Sequence, residues 1–225
     1  MADNHDRAFI FDMDGTLVDN MRVHTEAWRT LMDENGLEFD ERTFLIQTAG
    51  QTNREIIPSV FGRLSQEEIA RLARRKEEIY RESYLPHRKA IEGVVPFLAE
   101  SKQIGVKLAV ATAASNANME FILDGLDLRR FFDAITTASD VATGKPDPEM
   151  FLVSARKLGV EPENCLVFED AFGGFEAARR AGMKAIGITT VNSAEDIMKT
   201  GSVAETHSDF THLRPDVLIA KYLPY

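Results

Sequence analysis

Five short apolar runs, at residues 8–11, 106–111, 134–137, 165–168 and 185–188, lack the alternation that marks a strand with one wet face. Continuous apolar runs of that length predict strands buried on both faces, the kind that parallel sheets contain. Between the later runs lie helix-like segments at 116–126, 148–158 and 174–181. Asp147 before Pro148 offers an N-cap and a first-turn proline, and Gly159 and Gly182 stand where a helix end favours a left-handed residue. Strand alternating with helix from about residue 106 onward predicts an α/β fold with a doubly wound parallel sheet.

Residues 18–90 break that rhythm. Val23, Ala27, Trp28, Leu31 and Met32 recur at helical spacing, and Asn35-Gly36 supplies a stop. Ser65 with Glu68 forms a capping-box pattern ahead of Ile69, Leu72, Ala73, Ile79 and Tyr80. Thr52 and Glu55 repeat the pattern, with Pro58 expected to shorten or kink the helix that follows. The sequence thus divides into a sheet-forming core, residues 1–17 and 91–225, and a helical insertion at 18–90.

Charge narrows the possible partners. Lys plus Arg total 26 against 36 Asp plus Glu, a formal net charge of −10, which excludes nucleic acid as an expected partner. An acidic chain that binds an anionic phosphate must concentrate cations locally, through a few Lys or Arg, backbone N–H groups or a metal. The single Cys165 reads as a small buried strand residue, since nothing around it activates a thiolate. Neither a signal peptide nor a membrane span is recognisable, so a cytoplasmic location is the expectation; a monomer is the default expectation for a two-part chain of this size.

Asp12 and Asp14 close the first run, within Phe11-Asp12-Met13-Asp14-Gly15-Thr16. Two acids two residues apart at a strand end can divide labour as nucleophile and proton exchanger, share a metal, or belong to a plain turn. Thr112 ends the second run ahead of Ala113, Ser115 and Asn116, where a hydroxyl and free N–H groups can converge on a phosphate or simply cap a helix. Lys145 precedes Pro146, which restricts its backbone; it reads as a positioned charge or as a surface lysine. Glu169 and Asp170 end the fourth run, as ligands for a hard cation such as Mg²⁺ or as solvated loop acids. Together the four features supply every charge that phosphoryl transfer needs, at strand ends of one sheet.

As a set these motifs, with Gly144-Lys145-Pro146-Asp147, resemble the haloacid dehalogenase superfamily, in the branch containing β-phosphoglucomutase and small sugar phosphatases. The resemblance covers nearly the whole chain and implies a Rossmann-like core with an inserted helical cap. It implies that Asp12 becomes an aspartyl-phosphate while Asp14 serves as general acid and then base. Thr112 and Lys145 would then stabilise the transferring group. It further implies that Asp12, the Asp14 carbonyl, Glu169 and Asp170 hold Mg²⁺, and that the Lys145–Pro146 bond is cis. An acid at position 14 points to phosphoryl transfer over dehalogenation. Substrate contacts would come from Ala113 and Asn116 in the core, and from His24, Gly50, Arg54 and Lys76 in the cap. The segment Ala49-Gly50-Gln51-Thr52-Asn53-Arg54 departs from the mutase pattern: Ala49 replaces a lysine and the arginine is displaced by one position. The expectation is therefore a Mg²⁺-dependent phosphatase acting on a small phosphorylated metabolite such as a sugar phosphate, with a β-phosphoglucomutase-like isomerase as the alternative.

Overall fold

A computed structural model describes residues 6–48 and 52–223. The elements in chain order are β1 (Ala8–Phe11), α1 (Met21–Glu34), α2 (Glu41–Thr48), α3 (Asn53–Phe61), α4 (Gln66–Tyr84), α5 (Val94–Gln103), β2 (Lys107–Ala111), α6 (Asn116–Leu123), β3 (Ala134–Thr136), α7 (Glu149–Leu158), β4 (Cys165–Glu169), α8 (Phe172–Arg180), β5 (Lys184–Ile188), α9 (Ala194–Lys199), β6 (Glu205–His207) and α10 (Pro215–Tyr222). They fall into two compact units, one built from the residues up to Asp19 and from Lys89 onward, the other from Asn20–Arg88.

In the first unit all six strands form one sheet of order β3-β2-β1-β4-β5-β6, each neighbouring pair parallel. The chain winds outward from β1 to β3, then restarts at β4 on the other side of β1. That reversal places the carboxyl ends of β1, β2 and β4 around the crevice where open α/β sheets bind ligands. Continuous apolar runs appear because both faces are covered. Phe9 and Phe11 project to one face, where Phe11 stacks on Phe168 at 4.6 Å and Phe97 and Phe210 complete the aromatic layer. Ala8, Ile10, Ala109, Ala111 and Val167 project to the other and pack with Met150, Phe151, Ala155 and Phe175.

Five strands fall on the apolar runs, although β3, an edge strand, is only half-buried at Ala134 and Ile135 instead of buried on both faces, and β6 falls on no run. Glu205, Thr206 and His207 are polar and half-buried, and an edge strand paired on one side needs no apolar run to form. Helix α7 begins at Glu149 with Pro148, not Asp147, at the N-cap position, one residue later than the Asp147–Pro148 pair predicts; Asp147 Oδ1 accepts the Glu149 N–H at 3.0 Å from outside the helix. Gly159 and Gly182 adopt φ of +64° and +76°, the left-handed conformation a helix end favours.

The second unit is helical. Ala27, Trp28, Leu31 and Met32 of α1 are buried, as are Ile69, Leu72, Ile79 and Tyr80 of α4, and these two helices pack together. Both capping boxes form: Ser65 N donates to Glu68 Oε2 at 2.8 Å and Thr52 N to Glu55 Oε2 at 2.7 Å. Pro58 lies inside α3 without ending it, and the helix runs to Phe61 before Gly62. Among the described residues no helix is long and apolar enough to cross a membrane.

Candidate active site

Because β1 is flanked by β2 and β4, the residues that follow these three strands converge. Asp12 continues β1 by donating its N–H to Phe168 O at 2.9 Å, and is 8% exposed. Glu169 ends β4 and is 1% exposed, with Asp170 next at 3%. Oxygens of Asp12, Glu169 and Asp170 lie within 4.8 Å of one another. Lys145 bridges two of these acids, its Nζ donating to Asp12 Oδ1 at 2.6 Å, to Glu169 Oε1 at 2.5 Å and to the Ala111 carbonyl at 3.2 Å. The Lys145–Pro146 peptide is cis.

Glu169 is held at both oxygens, since Oε2 accepts the N–H groups of Asp170 and Ala171 at 2.8 Å each. Thr16, fully buried, donates to Asp170 Oδ1 at 3.3 Å. Two glycines make room for these carboxylates. A Cβ on Gly15 would stand 2.2 Å from Asp170 Oδ2, and one on Gly174 would stand 1.9 Å from Glu169 Oε1. Gly15 also turns the chain with φ of +87°, a conformation that a side chain would strain.

Three carboxylates against one ammonium leave the cluster with excess negative charge. Burial pushes the Asp12 carboxyl up to about 8; Lys145 opposes that rise and Glu169 adds to it. Asp170 is raised well above the ordinary carboxylate range by burial, then by Glu169 and Asp12. For Lys145, burial disfavours the charge, but Asp12 and Glu169 outweigh it and hold the group above the usual lysine value. Buried carboxylate oxygens in excess of local cations, with space kept for them by absent Cβ atoms, fit a hard divalent cation such as Mg²⁺.

Asp14 lies two residues past Asp12 and is half-buried. Thr112 follows β2, is 1% exposed, and donates its N–H to Thr136 O at 3.0 Å. Its hydroxyl accepts the Ala114 N–H at 3.0 Å and so folds the loop back ahead of α6. Ala113 and Asn116 are exposed there, and Ser115 caps the helix by accepting the Asn118 N–H. In the helical unit His24 and Lys76 come together, Nδ1 to Nζ at 2.7 Å, with the His24 ring stacked on Tyr80 at 3.8 Å. Lys76 is 3% exposed and pairs with Glu77 at 3.1 Å, which in turn accepts from Asn53 at 2.6 Å. Arg54 is exposed in the first turn of α3. Gly50 and its neighbours Ala49 and Gln51 lie outside the described residues.

Thr16, Gly174 and Glu77 were absent from the sequence reading of the site. Thr16 sits inside the first motif, but no local pattern ties it to Asp170, 154 residues away. Gly174 reads in sequence only as the start of a helical segment, because only the packed side chain of Glu169 reveals why a glycine is there.

A family model described as haloacid dehalogenase-like hydrolase matches residues 7–182. Fructose-1-phosphate phosphatase YqaB of Escherichia coli is 36% identical over 181 residues, covering 80% of this chain and 94% of that protein. Beta-phosphoglucomutase of Bacillus subtilis is 31% identical over 213 residues, covering 91% of this chain and 92% of the relative. The crystal structure of a beta-phosphoglucomutase from Clostridium difficile superposes with a TM-score of 0.82 at 29% identity, covering 96% of this chain and 97% of the other.

Proposed function

This chain belongs to the haloacid dehalogenase-like hydrolases, as a phosphatase or phosphomutase, and from that premise we propose that it is a Mg²⁺-dependent phosphohydrolase. Its substrate is a small sugar phosphate and its intermediate an aspartyl-phosphate on Asp12. The observation that carries the proposal is the cluster in which Lys145 bridges Asp12 and Glu169 beside Asp170.

A carboxylate oxygen of Asp12 attacks phosphorus, and the bond from phosphorus to the sugar oxygen breaks. Asp14 gives its proton to the departing sugar oxygen, leaving the free sugar and phosphorylated Asp12. Water then attacks the same phosphorus and surrenders its proton to Asp14, the phosphorus–oxygen bond to Asp12 breaks, and inorganic phosphate leaves with both acids back in their starting states. Thr112 and Lys145 bind phosphoryl oxygens, while Ala113 and Asn116 contribute from the start of α6. Asp12, the Asp14 carbonyl, Glu169 and Asp170 are the residues that would hold Mg²⁺, and a cation bound there would supply positive charge to keep Asp12 ionised and to offset the charge of the phosphoryl oxygens.

In this reading residues 1–17 and 91–225 are the catalytic core and 18–90 the helical cap that selects the sugar, with His24, Gly50, Arg54 and Lys76 as the selecting residues. Water is favoured over a sugar hydroxyl as acceptor because a mutase must hold two phosphates in turn, and Ala49 stands where the mutase pattern has a lysine. The second reading, a β-phosphoglucomutase-like isomerase, draws on the similarity to the B. subtilis enzyme. The proposal also takes the protein to be a cytoplasmic monomer.

The test is a panel of sugar phosphates with Mg²⁺, with and without a sugar bisphosphate, following inorganic phosphate and isomers together. Phosphate release that Asp12→Asn lowers by at least about 10³-fold supports the phosphatase. Conversion of β-glucose 1-phosphate to glucose 6-phosphate with little phosphate released assigns the mutase instead. Turnover that survives Asp12→Asn refutes both.

A further inference from the structure

The loop that leaves β5 was silent in the sequence, yet it reaches both acidic turns of the site. Thr190 and Asn192 are half-buried, whereas Val191 between them is 50% exposed. Thr190 Oγ1 donates to the Gly15 carbonyl at 2.5 Å, and Asn192 Nδ2 donates to the Asp170 carbonyl at 3.0 Å. The loop is anchored on either side of these contacts. Thr189 N donates to His207 O of β6 at 2.9 Å, and Ser193 Oγ accepts the Asp196 N–H at 3.1 Å to cap α9.

What these bonds do follows from the planarity of the peptide. The Asp170 carbonyl and the Ala171 N–H belong to one rigid plane, and that N–H donates to Glu169 Oε2 at 2.8 Å. Asn192 therefore fixes one edge of a plane whose opposite edge positions Glu169, and a carbonyl that accepts a hydrogen bond polarises the N–H across from it. At Gly15 the N–H is tied to Val18 O at 2.8 Å, so the Asp14 carbonyl in the same plane points the opposite way. Thr190 takes the carbonyl on the other side of the Gly15 α-carbon and locks the left-handed turn. Satisfying buried carbonyls is a general requirement, but both acceptors here lie on the turns that carry the acids.

We infer that Thr190 and Asn192 are positioning residues for the divalent cation, holding the Asp14–Gly15 and Asp170–Ala171 turns in the geometry the cation meets. The inference rests on the magnesium reading above and adds residues that act through the Gly15 and Asp170 carbonyls. Partners that orient ligands in this way typically govern metal affinity by 10- to 100-fold.

The test is direct binding of Mn²⁺, a spectroscopic stand-in for Mg²⁺, to the full-length metal-free protein, with free Mn²⁺ read by electron paramagnetic resonance. Asn192→Leu keeps the size and removes the donor; Thr190→Val does the same for the hydroxyl; Thr190→Ser restores it. The expected result is Mn²⁺ binding weakened roughly tenfold or more in Asn192→Leu and Thr190→Val, with Thr190→Ser binding like the unsubstituted protein. Melting temperatures of the metal-free proteins, read on the same samples, separate lost affinity from lost folding. If Asn192→Leu does not fold, the Thr190→Val and Thr190→Ser pair decides by the same criterion. Equal affinity in every variant overturns the inference and leaves the magnesium reading standing. Absence of saturable Mn²⁺ binding in the unsubstituted protein overturns both.

Discussion

Gly173 and Gly174 are neighbours in the first turn of α8, and alanine at each is predicted to act with opposite sign. In a helix, alanine is favoured over glycine by up to about 1 kcal/mol. A Cβ at 173 meets nothing within 4 Å, so Gly173→Ala should collect that gain. At 174 the new Cβ would stand 1.9 Å from Oε1, 2.0 Å from Cδ and 2.6 Å from Cγ of Glu169. A flexible glutamate tip could move aside, but this one is 1% exposed and held by Lys145 and by the Asp170 and Ala171 N–H groups. Displacing it forfeits two backbone bonds to a charged group, each contributing about 1.5–3 kcal/mol. Less the helix gain, Gly174→Ala should destabilise by roughly 2–5 kcal/mol. In a chain of this size 1 kcal/mol moves the melting temperature by roughly 2–4 °C. Calorimetry should therefore show Gly173→Ala melting up to about 4 °C higher and Gly174→Ala at least about 4 °C lower, with phosphatase activity lost only in the second. A Gly174→Ala protein that melts at or above the unsubstituted one would falsify the close-approach argument.

The remaining predictions concern charge. Burial pushes the Asp12 carboxyl up to about 8 from an ordinary 3.8, so between those values the folded state should hold a proton that the unfolded chain has released. Stability of the metal-free protein should accordingly fall as pH rises from about 4 to 8. Because the cation replaces the proton, Mg²⁺ should raise the melting temperature more at pH 8 than at pH 5, and EDTA should abolish the difference. A larger Mg²⁺ effect at pH 5 would contradict the assignment of Asp12 to the metal. Glu205 behaves in the opposite sense: partial burial works against its charge, yet hydrogen bonds from Lys221, Tyr222 and His207 hold its pKa down to about 2. Its stabilisation is complete above the ordinary value of 4.5 and is lost as pH falls through about 2. Since Lys221 is 56% exposed, solvent screening reduces the effect, and Glu205→Gln should cost about 1 kcal/mol at pH 7. Urea unfolding at pH 7 and pH 2 measures it, and an equal cost at both would remove the charge explanation.

Much of the fold was legible in the sequence because the signals are local. Residues 8–11 and 165–168 are apolar without alternation, which already requires two covered faces. Asp12, Thr112 and Glu169 follow such runs directly, so their placement at strand ends came with the strands. Strand β6 escaped notice since an edge strand with half-buried side chains carries no periodic signature. What the tertiary structure alone decided is which strand ends become neighbours. Parallel crossovers bring Lys145 to Asp12 across 133 positions and place Asn192 against Asp170, separated by 22. The same packing makes the missing side chain of Gly174 the space that Glu169 needs. Periodicity records what each segment buries, whereas the contacts of a buried charge depend on crossovers that no single segment encodes.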